Sequence, residues 1–318
     1  MNDFENTLVR EALANYNLDN VNVDFIRHNE NITCRVCSGN DVYVLRVRCP
    51  ADGFSLKIFG NQANAYQLMH GEMELLVHLE HMALFPVQIP LLTNKGDLAC
   101  SLLDGSPACL LKWIDGETLT AEDGDRYAHA LGELAAHIHM AAKGFAGTRL
   151  SYSHDLIQAM QEEINVAFQA DHMTPKQASI CKGALVEIDS VMTCLDAQPN
   201  SKGLIHADLG FSNVLWTPKG LTAIDFSLSG YGYKAQECGM ITSNYKNPEQ
   251  RKKVIDGYSK ISGSSHDPHH IDAFFAFSIL LFITCQHERF SHQIWFSQAI
   301  DRWCNTCFTP LTGADYQL

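Results

Sequence analysis

The stretch Leu204-Ile205-His206-Ala207-Asp208-Leu209-Gly210-Phe211-Ser212-Asn213, followed twelve residues after Asn213 by Ile224-Asp225-Phe226, constrains this chain more than any other. It reads H-x-D-x-x-x-x-N and then D-F. Asp or Asn in a loop is ordinarily a turn residue, so the pattern alone is weak. Its surroundings add a fold. Gly203–Ile205, Val214–Trp216 and Leu221–Ile224 read as short strands, the last two joined by the turn Thr217-Pro218-Lys219-Gly220. A hairpin with Asn213 at its entry and Asp225 at its exit brings two oxygen-bearing side chains together despite their separation in sequence. That arrangement suits phosphoryl transfer, which needs a carboxylate to orient the attacking hydroxyl and oxygen ligands to hold magnesium on nucleotide phosphates. Asp208 is the candidate for the first role; Asn213 and Asp225 are the candidates for the second. His206 reads as a brace of the loop, because this chemistry leans on positioning and electrostatics.

At 318 residues the chain exceeds the size at which one core usually stops growing, which favours two lobes. The first 19 residues suggest an amphipathic helix carrying Phe4, Leu8, Ala12 and Leu13. The period then changes. Val21–Phe25, Ile32–Val36 and Val42–Val47 read as strands, with Ser38-Gly39-Asn40-Asp41 as the hairpin turn between the last two. A helix is expected from about Asn61 to His81, with Met73, Leu75, Leu76 and Leu79 on one side, ended by Pro86 and Pro90. Strands follow around Leu98–Leu103 and Ala108–Lys112. Beyond these the periodicity is helical, as in Ala121–Ala142 and in the helix start Asn247-Pro248-Glu249. The expected architecture is therefore α+β and bilobal: a strand-rich lobe over residues 1–112 and a larger helical lobe over 113–318 that carries the motif.

The first lobe offers the nucleotide half of the site. Tyr43-Val44-Leu45-Arg46 lies on a strand where kinases place a cation that reaches the phosphates and pairs with a helix Glu. Arg46 takes the cation's place. The following helix supplies Glu72 and Glu74, and the phase of its apolar residues favours Glu72. Leu110-Leu111-Lys112-Trp113-Ile114-Asp115-Gly116 is an apolar strand running into a turn at the lobe junction. An adenine-binding hinge needs that layout, with backbone groups of Lys112 and Ile114 on the adenine edge.

With Leu131-Gly132-Glu133-Leu134-Ala135-Ala136-His137-Ile138-His139, Gly230-Tyr231-Gly232 and Ile114-Asp115-Gly116, these motifs resemble those of the aminoglycoside phosphotransferase and choline kinase-like family over about residues 20–260. The resemblance implies a protein-kinase-like fold, Mg2+ and ATP (or GTP) as cofactors, and phosphorylation of a hydroxyl on a small molecule such as an aminoglycoside, amino alcohol or sugar. It differs in three places. Ala207 stands where the family commonly has glycine. No glycine-rich loop surrounds Arg27-His28-Asn29-Glu30-Asn31. Glu237 and Cys238 replace an Asp-Leu pair, with Glu237 keeping a structural carboxylate role. Acceptor contacts are expected from residues 120–200 and 230–318, where no pattern names the acceptor; Asp115, Glu117 and Glu237 are acids that suit a cationic acceptor and equally suit solvent. A Ser/Thr protein kinase is disfavoured because no Ala-Pro-Glu segment follows Asp225. A non-catalytic nucleotide-binding regulator is disfavoured because Asp208, Asn213 and Asp225 are all present.

A net charge of −13 argues against a nucleic-acid partner. No signal peptide is visible at the N-terminus, and Ala273–Ile283 is too short to span a bilayer and reads as a buried core helix. A cytoplasmic protein with reduced thiols is the expectation for its eleven cysteines. Cys34/Cys37 and Cys304/Cys307 lie about 270 residues apart, and the first pair points to opposite faces of a strand, so no zinc site is expected. His266, His269 and His270 read as loop residues, solvated or forming a loose adventitious metal site, and His137/His139 do not share a helix face.

Overall fold

A computed structural model describes residues 1–60, 62 and 64–313. In chain order its elements are α1 (Asp3–Leu13), β1 (Val21–His28), β2 (Asn31–Ser38), β3 (Asp41–Arg48), α2 (Ala65–Met82), β4 (Cys100–Ser101), β5 (Pro107–Lys112) and β6 (Glu117–Thr118). Then come α3 (Gly124–Ala141), β7 (Leu150–Ser151), α4 (His154–Gln169), α5 (Pro175–Asp196), β8 (Lys202–Ile205), β9 (Val214–Thr217), β10 (Gly220–Ala223) and β11 (Gly230–Tyr233). Helices α6 (Lys234–Thr242), α7 (Pro248–Ser262), α8 (Pro268–Phe290), α9 (Ile294–Trp303) and α10 (Thr309–Thr312) complete the chain.

Strands β1 to β5 form an antiparallel sheet in the order β1-β2-β3-β5-β4. The two-residue repeat of a strand decides what each face carries. Leu45 and Val47 of β3, with Ala108 and Leu110 of β5, pack under α1 against Leu8, Val9 and Ala12. The alternate residues Cys109 and Leu111 face α2 and its Met69, Met73, Leu76 and Leu79. Arg46, between Leu45 and Val47, is therefore delivered to the α2 face. Helix α1 stops at Leu13, short of the expected 19 residues, and Phe4 of its expected apolar stripe is exposed. Its start is fixed by a capping box, in which Asn2 Oδ1 accepts the Glu5 N–H at 2.8 Å and Glu5 Oε2 accepts the Asn2 N–H at 2.8 Å.

Helix α2 is capped by Asn64; the start expected at Asn61 lies outside the described residues. Where it crosses the start of the second half, a Cβ on Gly71 would stand 2.0 Å from the Thr148 carbonyl oxygen. Only glycine lets the helix that carries Glu72 come so close. β4 is two residues long, where a strand over Leu98–Leu103 was expected. The region after β5 is helical apart from two small sheets, β10-β9-β6 and β7-β11-β8. Strand β11 is read in the sequence only as the motif Gly230-Tyr231-Gly232; its glycines lack β-propensity, and pairing with β7 and β8 creates the strand.

Helix α8 spans 23 residues and is apolar enough by composition to cross a membrane, but it packs against α4, α5 and α6 and buries Phe274, Phe277, Leu280 and Ile283. It is a core helix. His269 and His270 begin it, rather than sitting in a loop. His269 makes an exposed contact with Glu187, whereas His266 rests on the Tyr258 ring and burial lowers its pKa to about 4.

Candidate active site

The hairpin pairs Val214 with Ala223 and Gly220 with Thr217. One residue beyond that register the Ile224 N–H donates to the Asn213 carbonyl at 2.9 Å, so Asn213 and Asp225 leave the hairpin side by side. The loop before it is held from below by Glu237. This fully buried carboxylate accepts the N–H of His206 at 2.5 Å and of Ala207 at 3.3 Å, with His139 Nε2 3.5 Å away. His206 donates from Nε2 to the Ile224 carbonyl at 3.1 Å and accepts the Asp208 N–H at Nδ1 at 3.3 Å; burial lowers its pKa. It is a neutral strut between the two halves of the motif. Ala207 and Asp225 both have φ of +62°, a left-handed conformation that costs a non-glycine residue. The Glu237 brace offsets that cost at Ala207, where a glycine would carry none.

Asp208 Oδ2 accepts the Asn213 side-chain amide at 2.7 Å, and its carbonyl accepts the same amide at 3.0 Å. The pair locks both rotamers. Burial first, and the charge of Asp225 second, push the Asp208 carboxyl up to about 7. Because the Asn213 amide nitrogen is spent on Asp208, its Oδ1 is left buried with no donor among the described residues, and Asp225 Oδ1 is likewise buried without a hydrogen bond from them. Two such oxygens fit a hard divalent cation.

Arg46 and Glu72 form a buried, two-pronged ion pair, Nη1 to Oε1 at 2.5 Å and Nη2 to Oε2 at 3.1 Å. Arg46 Nη2 also lies 3.4 Å from Asp225 Oδ1. Glu74 points outward and meets His70 at 3.5 Å, so Glu72 is the partner. Arg27, at the irregular end of β1, reaches Asp225 Oδ2 with Nη2 at 2.7 Å. Burial works against the charged form of Asp225, but Arg46 and Arg27 outweigh it and hold the carboxyl below its ordinary range.

At the junction the Lys112 N–H is committed to the Ile89 carbonyl at 2.8 Å, which leaves only the Lys112 carbonyl to meet a base. The Ile114 N–H has no protein acceptor among the described residues. Past it, a Cβ on Gly116 would stand 2.8 Å from the Trp216 carbonyl oxygen, so glycine lets the chain pair β6 with β9. The segment after β5 is thereby tied directly to the β9–β10 hairpin.

Two features escape sequence reading. Arg27 lies in a segment notable only for lacking glycines. Arg149 carries no pattern at all, yet its buried guanidinium donates to the carbonyls of Leu68, Phe226, Ser227 and Ser229 at 2.5 to 3.1 Å. It staples the segment after Asp225 to α2. Replacing Arg149 with Met strands those carbonyls, and the expected loss is about 3 kcal/mol in a denaturant titration.

Beside Asp208 a cavity of about 910 Å³ opens between this loop and helices α6, α8 and α9. None of the three acids proposed for the acceptor lines it. Asp115 accepts from the Trp113 indole at 3.1 Å, Glu117 is exposed on β6, and Glu237 is buried under the loop. A separate cluster of Glu163, His287 and Glu288 already holds a cation, the Lys57 ammonium, 2.9 and 3.1 Å from the two carboxylates.

The model of the phosphotransferase enzyme family matches residues 30–270. A homoserine kinase of Allorhizobium ampelinum (strain ATCC BAA-846 / DSM 112012 / S4) is 28% identical over 201 residues; the alignment covers 59% of this chain and 59% of that protein's length. Among solved structures, a microcompartment-associated aminopropanol kinase superposes with a TM-score of 0.74 at 18% identity, covering 94% of each chain. The amicoumacin kinase hAmiN, in complex with AMP-PNP, Ca2+ and Ami, does so with a TM-score of 0.71 at 17% identity, covering 97% of this chain and 93% of the other. These likenesses identify the fold as protein-kinase-like. The chain belongs to the phosphotransferase enzyme family.

Proposed function

We propose that this protein is a small-molecule kinase that transfers the γ-phosphoryl group of ATP to a hydroxyl, using Mg2+. The convergence of Asp208, Asn213 and Asp225, with two buried oxygens that no hydrogen bond among the described residues occupies, is the observation that carries this reading. When bound, the magnesium nucleotide supplies the phosphoryl group and the positive charge that neutralises it in transfer. Asn213 and Asp225 would hold the metal. Asp208, with its rotamer fixed by Asn213, orients the acceptor hydroxyl and takes its proton. Arg46, kept straight by Glu72, grips the phosphates further back. The Lys112 carbonyl and the Ile114 N–H meet the adenine edge, an acceptor and a donor two residues apart. The division into a nucleotide lobe ending near residue 112 and an acceptor lobe beyond it belongs to the same reading.

Arg27 takes over the grip that a glycine-rich loop would give. Its guanidinium pairs with Asp225, and would be released toward the phosphates if Asp225 held a metal instead. Arg27→Ala is expected to raise the nucleotide KM roughly tenfold through loss of a charged hydrogen bond. In the same variant the Mg2+ concentration for half-maximal activity should fall, since a competitor for Asp225 is gone. If both constants stay at the parent values, Arg27 has no part in the site.

The decisive experiment is Mg2+-dependent ADP release and product detection with a panel of amino alcohols, sugars, hydroxy acids and aminoglycosides. Nucleotide binding without transfer to any acceptor, proteins included, would replace the kinase reading with a regulatory one.

A further inference from the structure

The cavity beside Asp208 is cationic in an acidic protein. Acids outnumber Lys and Arg by 36 to 23 in the chain, and its surface cations are commonly paired. On α7, Lys252 meets Asp256, Lys253 meets Asp125 and Lys260 meets Glu133, each at 2.6 to 2.7 Å. Arg251, on the same helix, is treated differently. It lines the cavity, donates from Nε to the Tyr245 carbonyl at 2.8 Å, and stacks with its guanidinium carbon 4.4 Å from the centre of the Phe275 ring. These contacts hold the group in place yet leave both Nη atoms without a protein acceptor among the described residues. Asp272 on α8 feels its charge but forms no ion pair with it. Arg302 and Lys246 also line the cavity without a carboxylate partner, and Asp208 is the only acid in the lining, among the described residues.

The rest of the wall points to a ligand with two ends. Phe275, Phe282 and Trp303 make an apolar surface next to the cations. Gln286, also in the lining, keeps a buried Oε1 that no donor among the described residues reaches. A fixed guanidinium with a free fork is suited to a planar or tetrahedral oxyanion, and a cationic acceptor would be repelled from it.

We propose that the acceptor is a hydroxyl compound whose far end is an oxyanion, a carboxylate or a phosphate monoester, held by Arg251 and Arg302 while its body lies on Phe275 and Phe282. This rests on the kinase reading and narrows it. The reacting hydroxyl meets Asp208 at one end of the cavity, the anionic group meets the arginines, and the aminoglycoside class of acceptor is excluded by charge.

The test uses the full chain and one carbon skeleton in three charge states, with the hydroxyl and the variable group at opposite ends: 4-(hydroxymethyl)phenylacetate, its amide, and 4-(hydroxymethyl)phenethylamine, with glycerol phosphate as the phosphate arm. Binding is read by intrinsic tryptophan fluorescence, and transfer by ADP release with Mg-ATP. 4-(Hydroxymethyl)phenylacetate or glycerol phosphate should bind at least about tenfold more tightly than the amide and the amine, the worth of a charge-assisted contact. Whichever of the two binds identifies the oxyanion. In Arg251→Ala that preference should collapse, and Arg251→Lys should restore part of it. Arg302→Ala, at an exposed position, should weaken it without risk to folding. The proposal is overturned if the amide or the amine binds as tightly as the anions, if the preference survives Arg251→Ala, or if none of the four binds. Transfer to the amine over 4-(hydroxymethyl)phenylacetate would sink the oxyanion while leaving the kinase reading intact. Absence of transfer to any hydroxyl compound would instead count against the kinase.

Discussion

Asp208→Asn is expected to lower kcat by about 10³-fold, within the range that a positioned general base supplies. The substitution keeps the shape of the loop, because the new side chain's amide oxygen can still accept the Asn213 amide that now sits 2.7 Å from Oδ2. It also leaves Asn213, Asp225 and Arg46 in place, so nucleotide affinity should change less than about threefold, a difference of under 1 kcal/mol. A loss confined to kcat, with a constant nucleotide KM, is the signature of an interaction made only in the transition state. The check is steady-state kinetics on the acceptor found by the panel, alongside equilibrium binding of a non-hydrolysable ATP analogue. An Asp208→Asn enzyme that turns over like the parent would remove Asp208 from the chemistry altogether.

Glu72→Leu is expected to cost about 3 kcal/mol of folding stability, read as a lower denaturant midpoint at constant slope. Both partners of this pair are buried, and Arg46 would be left with a desolvated charge. Its remaining neighbour is Asp225, 3.4 Å from Nη2, so the guanidinium should turn toward the oxygen assigned to the metal. The same variant should therefore need more Mg2+ for half-maximal activity. The double variant Arg46→Met/Glu72→Leu separates the two effects. It removes both charges and should recover most of the stability, since apolar replacement of a whole buried pair is often neutral. It should stay nearly inactive, because the Arg46 cation is gone and Arg27 alone is left to meet the phosphates. If Glu72→Leu folds with parental stability and parental Mg2+ dependence, the pair is structurally and functionally idle.

The sequence carried the site's chemistry further than its architecture. Asp208, Asn213 and Asp225 are local in sequence or joined by one hairpin, and hairpin geometry follows from turn residues and strand pattern alone. The Arg46–Glu72 pairing was also legible, because alternation along β3 and the 3.6-residue repeat of α2 each set which face a side chain takes. Lys112 and Ile114 stand at the end of β5 and just beyond it, as their sequence suggests, but a sequence does not show that the Lys112 N–H is consumed by Ile89 while the Ile114 N–H has no protein acceptor among the described residues. β11 was invisible as a strand for the same reason, since pairing partners from Leu150 and Lys202–Ile205 create it.

What tertiary structure alone decided is the identity of groups that act across long sequence separations. Arg27 reaches Asp225 across 198 residues, and Arg149 collects carbonyls from Leu68 and from Phe226 to Ser229. A cation's sequence neighbours do not reveal such partners. The cavity beside Asp208 is the clearest instance. Acidic residues near motifs suit a cationic substrate or solvent, yet folding turns Asp115 onto Trp113 and buries Glu237 under the loop that carries Asp208, while Arg251 and Arg302 line the cavity. The amino-acid sequence determined a hairpin that presents Asp208, Asn213 and Asp225, because short-range turn and strand preferences suffice for that. The charge of the cavity wall was decided by the packing of α6 to α9, because it depends on which side chains from distant segments are brought together.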